Sequence, residues 1–139
     1  LKVDFFKILS KDFNNNKLIK AVLNTNVKKI YISIGNRSVI DVFNKLSKFH
    51  SKKIIIIYTQ FKNTIRQNKL ERINSLKNKF SLPIVFGNHC FDLNIFNHIK
   101  KYNLSSIFVY VKLNSKEIFP DNNHAVPINK INNLYKKLN

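Results

Sequence analysis

The chain reads as an α/β protein built from consecutive parallel β-α units, and three observations carry that reading. Apolar strand-like runs alternate with amphipathic stretches at intervals of about 25 residues, the length of a parallel βαβ repeat. The run Ile54 to Tyr58 is continuous, apolar and largely β-branched, as in a sheet covered on both faces. The only two glycines, Gly35 and Gly87, both fall where a strand run stops.

Val3 to Leu9 opens the chain as a strand, with Phe5, Phe6 and Ile8 apolar. Asn14 to Leu23 follows as a helix, its Leu18, Ile19, Val22 and Leu23 recurring at helical spacing. Lys29 to Ile34 is the second strand, closed by Gly35. Ser38 to Phe49 is the second helix, burying Val39, Ile40, Val42, Phe43 and Leu46. After the strand Ile54 to Tyr58, Asn63 to Phe80 forms a long helix on Ile65, Leu70, Ile73, Leu76 and Phe80. The fourth strand opens after Pro83, ends at Gly87, and delivers Asn88 and His89 to its carboxyl edge. Its helix runs from about Phe91 to Tyr102, with Asp92 as the N-cap. Ser106 to Val111 is the fifth strand. An irregular connection through Pro120 leads to a last helix starting near Pro127, a favoured first-turn proline. No linker or low-complexity tail interrupts residues 1–139, which are expected to form a single domain.

The apolar fraction of 44% fits a folded chain, and no run approaches the roughly 18 apolar residues of a membrane span. No signal-peptide pattern opens the sequence, so a cytoplasmic location is expected. A lone Cys90 excludes an internal disulfide and a cysteine-based zinc site. The net charge of +18 predicts general attraction to polyanions. It does not mark a nucleic-acid reader, because Lys, Asn and Ile make up close to half the chain and Arg is scarce. The basic residues are spread over every segment rather than gathered with exposed aromatics.

Two architectures accommodate five such units: the latter part of a (β/α)8 TIM barrel, or a complete five-stranded doubly wound sheet. Two glycines so far apart exclude a dinucleotide fingerprint and a phosphate loop. That absence, with an opening residue Leu1 rather than Met, favours a barrel segment. In either architecture the chemistry belongs at the carboxyl ends of the strands. Those positions read Lys7 to Ser10, Ser33 to Asn36, Thr59 and Gln60, Gly87 to His89, and Val111 with Lys112. Each glycine either serves a tight turn or lets the backbone approach a ligand. Lys7, within an apolar strand, either holds a phosphate or carboxylate or carries its head to water on a long stem. Ser10 and Ser33 could donate to the same anion. His89 suits a metal ligand, a general acid or a helix cap. His50 and His98 read as helix-surface residues.

Taken together, these residues resemble the N-acetylneuraminate (sialic acid) synthase family. Val3-Asp4-Phe5-Phe6-Lys7-Ile8-Leu9-Ser10 is similar to the family's Lys-Ile-x-Ser strand, and Asp12 and Asn14-Asn15 follow it. Lys28 to Gly35 is similar to its strand ending Ser-Thr-Gly, and Leu82 to His89 to its Leu-Pro-x-x-x-Ser-Asp-His segment. Pro120-Asp121 and Pro127 resemble its terminal Pro-Asp and the helix-opening proline beyond. The resemblance implies the second half of a (β/α)8 barrel, without the family's antifreeze-like C-terminal domain. It also implies condensation of phosphoenolpyruvate with an N-acetylated hexosamine, release of phosphate, and a divalent metal, Mn or Mg. Carried over, Lys7 is catalytic and, with Ser10 and Ser33, holds phosphoenolpyruvate. Gln60 and Asp121 lie at substrate-facing positions, Asp121 toward the sugar, and His89 is a metal ligand.

The departures are specific. The family's second metal histidine falls at or near Val111, where no histidine is adjacent. His-Cys-Thr reads Ile57-Tyr58-Thr59, and Ser-Asp reads Gly87-Asn88. His124 follows Asp121 in the loop and is the nearest substitute, but the sequence does not assign it the role. The alternative is a non-catalytic relative that binds a sugar, a phosphorylated ligand or a partner subunit. The uncovered sheet edges of a half barrel lead us to expect a homo-oligomer.

Overall fold

Five strands pair in the order in which the chain lays them down, and this decides between the two architectures. The computed structural model describes residues 3–61, 64–66, 68–113 and 118–138. Strands β1 (Phe5–Ile8), β2 (Lys29–Ser33), β3 (Ile54–Thr59), β4 (Ile84–Gly87) and β5 (Ile107–Phe108) form one parallel sheet ordered β1-β2-β3-β4-β5. A doubly wound sheet would reverse direction at a switch point and carry helices on both faces. Here there is no reversal. Helices α1 (Asn16–Leu23), α2 (Val39–Leu46), α3 (Arg72–Lys79) and α4 (Ile95–Lys100) all bury apolar side chains in one cluster with Ile8, Ile30, Ile32, Ile54, Ile56, Ile84 and Phe86.

The opposite face is narrow and apolar. Ile55, Ile57 and Val85 form a second cluster there, with Tyr31 and Phe108 packed against it. The ring centroids of Tyr31 and Phe108 are 5.0 Å apart, although β3 and β4 lie between their strands. In a flat sheet those strands would stand about 14 Å apart. The sheet is therefore curled, and the molecule is a half-barrel with helices outside. This explains why β3 is apolar without alternation: one face meets helices, the other the barrel interior.

The local starts follow from capping. Asn15 Oδ1 accepts from the Leu18 amide at 3.0 Å, and Ser38 Oγ accepts from the Asp41 amide at 3.0 Å. Several lysines satisfy backbone carbonyls between units. Lys53 Nζ donates to Leu23 O at 3.2 Å and Thr25 O at 2.8 Å, placing a cation at the C-terminus of α1. Lys77 Nζ donates to Asn103 O at 3.1 Å. Part of the basic charge is thus used to tie units together.

The fourth helix is shortened to α4, with Asn94 rather than Asp92 at its N-cap, and the elements differ from the sequence expectation in three further places. The long third helix is shortened to α3, which begins at Arg72; Asn63, its expected start, lies outside the described residues. Before α3 the chain is pinned to the sheet: Tyr58 Oη donates to Lys69 O at 2.6 Å, and Gln60 Oε1 accepts from Lys69 N at 3.0 Å. The fifth strand is interrupted, continuing as β6 (Val111–Lys112), which pairs in parallel with β7 (Val126–Pro127). Pro127 therefore ends a strand. A 3-10 turn over Ile128–Lys130 precedes the last helix, α5 (Ile131–Leu138). No helix among the described residues is long and apolar enough to cross a membrane.

Gly87 is a packing requirement. A Cβ there would stand 2.3 Å from Thr59 Oγ1 and 2.9 Å from Ile57 Cγ2. Thr59 Oγ1 also donates to Gly87 O at 2.8 Å, so the hydroxyl is held in place. Gly87→Ala is expected to destabilise the chain by about 1–3 kcal/mol. Denaturant unfolding of Gly87→Ala, Thr59→Ala and the double variant checks this. The double variant should lose less than the sum of the two single losses, because removing Oγ1 relieves the overlap.

Candidate active site

An open cavity of about 450 Å³ lies where the carboxyl ends of β1 to β4 converge with β5. Lys7, Ser10, Ser33, Thr59, His89 and Asp121 are among its lining residues. Lys7 reaches it because β1 alternates: Phe6 and Ile8 face the helices, which turns Lys7 inward. Its exposed side chain places Nζ 5.4 Å from the centre of the Phe108 ring, across the concave face. Ser33 is buried at the end of β2, and Ser10 opens the 3-10 turn Ser10–Asp12. Gly35 adopts φ +57°, and a Cβ on it would stand 3.2 Å from Ser10 Cβ. This glycine serves both its turn and the close approach of Ser10. Lys11 adds a second cation to the lining, and Asp121 is the lining carboxylate among the described residues.

Five of the six residues singled out from the sequence thus meet in one cavity. Gln60 does not line it. Its side chain is buried and bonded to the Lys69 amide, where it braces the connection before α3. A larger hollow of about 680 Å³ opens at the amino ends of β1 and β2, around Val3 to Phe6 and Thr25 to Tyr31. It gathers no comparable set of reactive groups.

At the β4 side the cavity meets a cluster of imidazoles. Asn88 is buried; its Oδ1 accepts from Cys90 N at 3.0 Å and its Nδ2 donates to Cys90 O at 3.2 Å. This ring of bonds fixes the turn that presents His89. The imidazole of His89 lies 4.6 Å from that of His124, 4.8 Å from Phe61 and 5.4 Å from Tyr110, between ring centroids. His124 arrives because β7 docks on β6: Val126 N donates to Tyr110 O at 2.8 Å, and Lys112 Nζ holds Asn122 O at 3.0 Å. Asp121 O accepts from the amides of His124 and Ala125, closing the turn between them. Asp121 Oδ1 stands 3.2 Å from His124 Nε2. The contact is close but not aligned as a hydrogen bond, and Nε2 is buried without a hydrogen-bonding partner. Ligand-capable atoms of His89, Asp121 and His124 all lie within 4.8 Å of one another, an arrangement compatible with a metal site.

The electrostatics favour neutral imidazoles. Burial pushes His89 down to about 4; His124 and Lys7 add to the shift and Asp121 opposes it. Burial also lowers His124, with Asp121 opposing through its charge and contact. Neutral rings present free lone pairs.

Sequence reasoning passed over Lys11, Phe61 and Tyr110, and it named His124 as the nearest substitute without assigning it a role. The proximity of His124 to Asp121 at i+3 was visible, but its distance from His89 was not. The structure brings His124 beside His89, a neighbourhood that the sequence alone did not show.

The solved structures that resemble this chain share the half-barrel. One is an N-acetylneuraminic acid synthetase from Leptospira borgpetersenii, in complex with citrate: TM-score 0.86, 18% identity, 98% of this chain and 49% of that one. A spore coat polysaccharide biosynthesis protein E assignment from Chromobacterium violaceum gives 0.83, 14%, 98% and 42%. A truncated 3-deoxy-D-arabino-heptulosonate 7-phosphate synthase from Thermotoga maritima gives 0.81, 13%, 98% and 57%. At these identities the likeness shows the fold, and the chain spans about half the length of these structures. Among curated proteins none matches. The NeuB family, by contrast, is matched over residues 1–139, from the Lys7 strand through the His124 loop to α5. The chain belongs to the NeuB family.

Proposed function

We propose that this chain carries the phosphoenolpyruvate-binding and metal-binding side of a sialic-acid-synthase-like site. That site would join phosphoenolpyruvate to an N-acetylated hexosamine and release phosphate. The observation that carries this reading is the single cavity joining Lys7, Ser10 and Ser33 to His89 and Asp121. Lys7 and Lys11 supply positive charge for the phosphate and carboxylate, and the Ser10 and Ser33 hydroxyls donate to their oxygens. Asp121 can accept from a sugar hydroxyl. The residues at His89 fit a divalent cation, since neutral nitrogen donors face a carboxylate and one buried nitrogen lacks a hydrogen-bonding partner. Such a cation supplies Lewis acidity toward the sugar aldehyde when bound. Residues 1–139 correspond in this reading to the latter part of the barrel, with the antifreeze-like domain outside them. Association between copies and a cytoplasmic location, where such a synthase would meet its substrates, belong to the same reading.

One departure favours a second reading. The strand that reads His-Cys-Thr in the family presents Ile57 to the cavity here. A relative that binds an anionic ligand without turnover is consistent with that loss.

Phosphate release from phosphoenolpyruvate, with hexosamine and Mn present, separates the two. Lys7→Ala should lower the rate by roughly 10²-fold or more, with the circular dichroism spectrum unchanged. Ligand-induced thermal stabilisation without any release would favour the binding role over synthesis.

The buried imidazole also makes a pH prediction. His89 titrates near 6.5 when unfolded and near 4 when folded. Between those values the unfolded chain binds a proton that the folded chain does not. Stability should therefore fall as pH drops through that window, with no further loss from His89 below it. Denaturant midpoints at about pH 7 and about pH 4.5 should show a smaller difference for His89→Asn than for the parent chain.

A further inference from the structure

We propose that His124, from the loop before β7, is the second imidazole ligand of a relocated metal site, His89–Asp121–His124, selective for transition-metal dications over Mg. The inference rests on the reading of His89 as a metal ligand and changes the ligand set that completes it. Three observations carry it. Val111, where the family pattern would put the second histidine, is exposed and does not line the cavity. His124 is 8% exposed, and its Nε2 is the buried side-chain polar atom left without a hydrogen bond among the described residues. The polar group it faces is the Asp121 carboxylate, an anion that a shared cation would join to the imidazole.

The spacing is the third observation. Ligands bound to one cation at about 2.1 Å lie roughly 3.0–3.4 Å apart when adjacent. His124 Nε2 and Asp121 Oδ1 stand at 3.2 Å. All three ligand atoms lie within 4.8 Å of one another, and His89 is half-buried where two openings meet. The second opening, of about 210 Å³, is lined by Phe61, His89, Phe91, Pro120, Asn123 and His124 and leads to the same ligands. Phe61, Phe91 and Tyr110 surround the rings with apolar surface. Two imidazoles and one carboxylate suit Mn, Co or Zn, whereas Mg prefers oxygen ligands and retains water. Because His89 follows β4 and the other two ligands precede β7, a bound ion would also clamp the β6–β7 loop to the sheet.

Titration of the full chain with cobalt(II), read by visible d–d absorption and by thermal unfolding, tests this. The expected result is one cobalt per chain, a raised melting temperature, and no response to equimolar magnesium. His89→Ala and His124→Ala should each weaken cobalt binding by at least about 10-fold, while His98→Ala binds like the parent. His124→Gln guards against misfolding: it should keep the metal-free melting temperature near the parent value and still lose cobalt. Parent-like cobalt affinity in His124→Ala would overturn the proposal, as would no binding by the parent chain or equal preference for magnesium. Cobalt bound through both histidines without phosphate release would keep this site and sink the synthase reading. Phosphate release that survives in His124→Ala would do the reverse.

Discussion

Sequential pairing of five parallel strands, with the described helices packed on one side, is the constraint from which the rest of the structure follows. Helices on one face only leave the other face to close upon itself, and the right-handed twist of the strands curls it. The Tyr31–Phe108 contact is the signature of that curl, and Lys7 over Phe108 extends it across the concave surface. Once curled, the carboxyl ends of the strands converge, and side chains from β1 and β4 share one cavity. Gly87 belongs to the same constraint, since the inner face at Thr59 and Ile57 leaves no room for a Cβ.

The cavity is divided electrically. Its β1 side carries Lys7 and Lys11 with two serines, a set suited to a doubly charged anion. Its β4 side carries two imidazoles kept neutral by burial, beside one carboxylate. An anion and a cation can therefore be held at opposite ends of one space without either site repelling its occupant. Part of the positive charge elsewhere in the chain serves packing. Lysines such as Lys53, Lys77 and Lys112 reach carbonyls of neighbouring connections and tie successive units together.

The β6–β7 pair is small and has a disproportionate effect. Two residues from each side pair, yet this docking brings the Asp121–His124 turn against His89. A loop residue far along the chain is thereby brought beside a strand-end histidine. The reaction attributed to such a fold depends on where donor atoms lie, and the chain position that supplies them is secondary.

The order of the units, the strand ends and most of the cavity lining were legible in the sequence, because strand and helix periodicities are local properties. Lys7, Ser10, Ser33 and His89 could be named from their places relative to those strand ends, and Asp121 from the resemblance of Pro120-Asp121 to the family's Pro-Asp. The choice between barrel segment and doubly wound sheet needed tertiary structure, since both use the same local pattern and differ only in pairing order. Gln60 sat at a strand end and looked like a site residue, but a hydrogen bond to Lys69 turns it into a brace. The third helix was overextended for a related reason: Tyr58 and Gln60 hold the chain ahead of Arg72, against its helical spacing. His124 could be named from the sequence but not placed, because its neighbour His89 is far away along the chain. The strand that joins them, Val126–Pro127, is too short to carry a periodic signal. Local periodicity wrote the elements; only the pairing of distant backbone decided which side chains would meet.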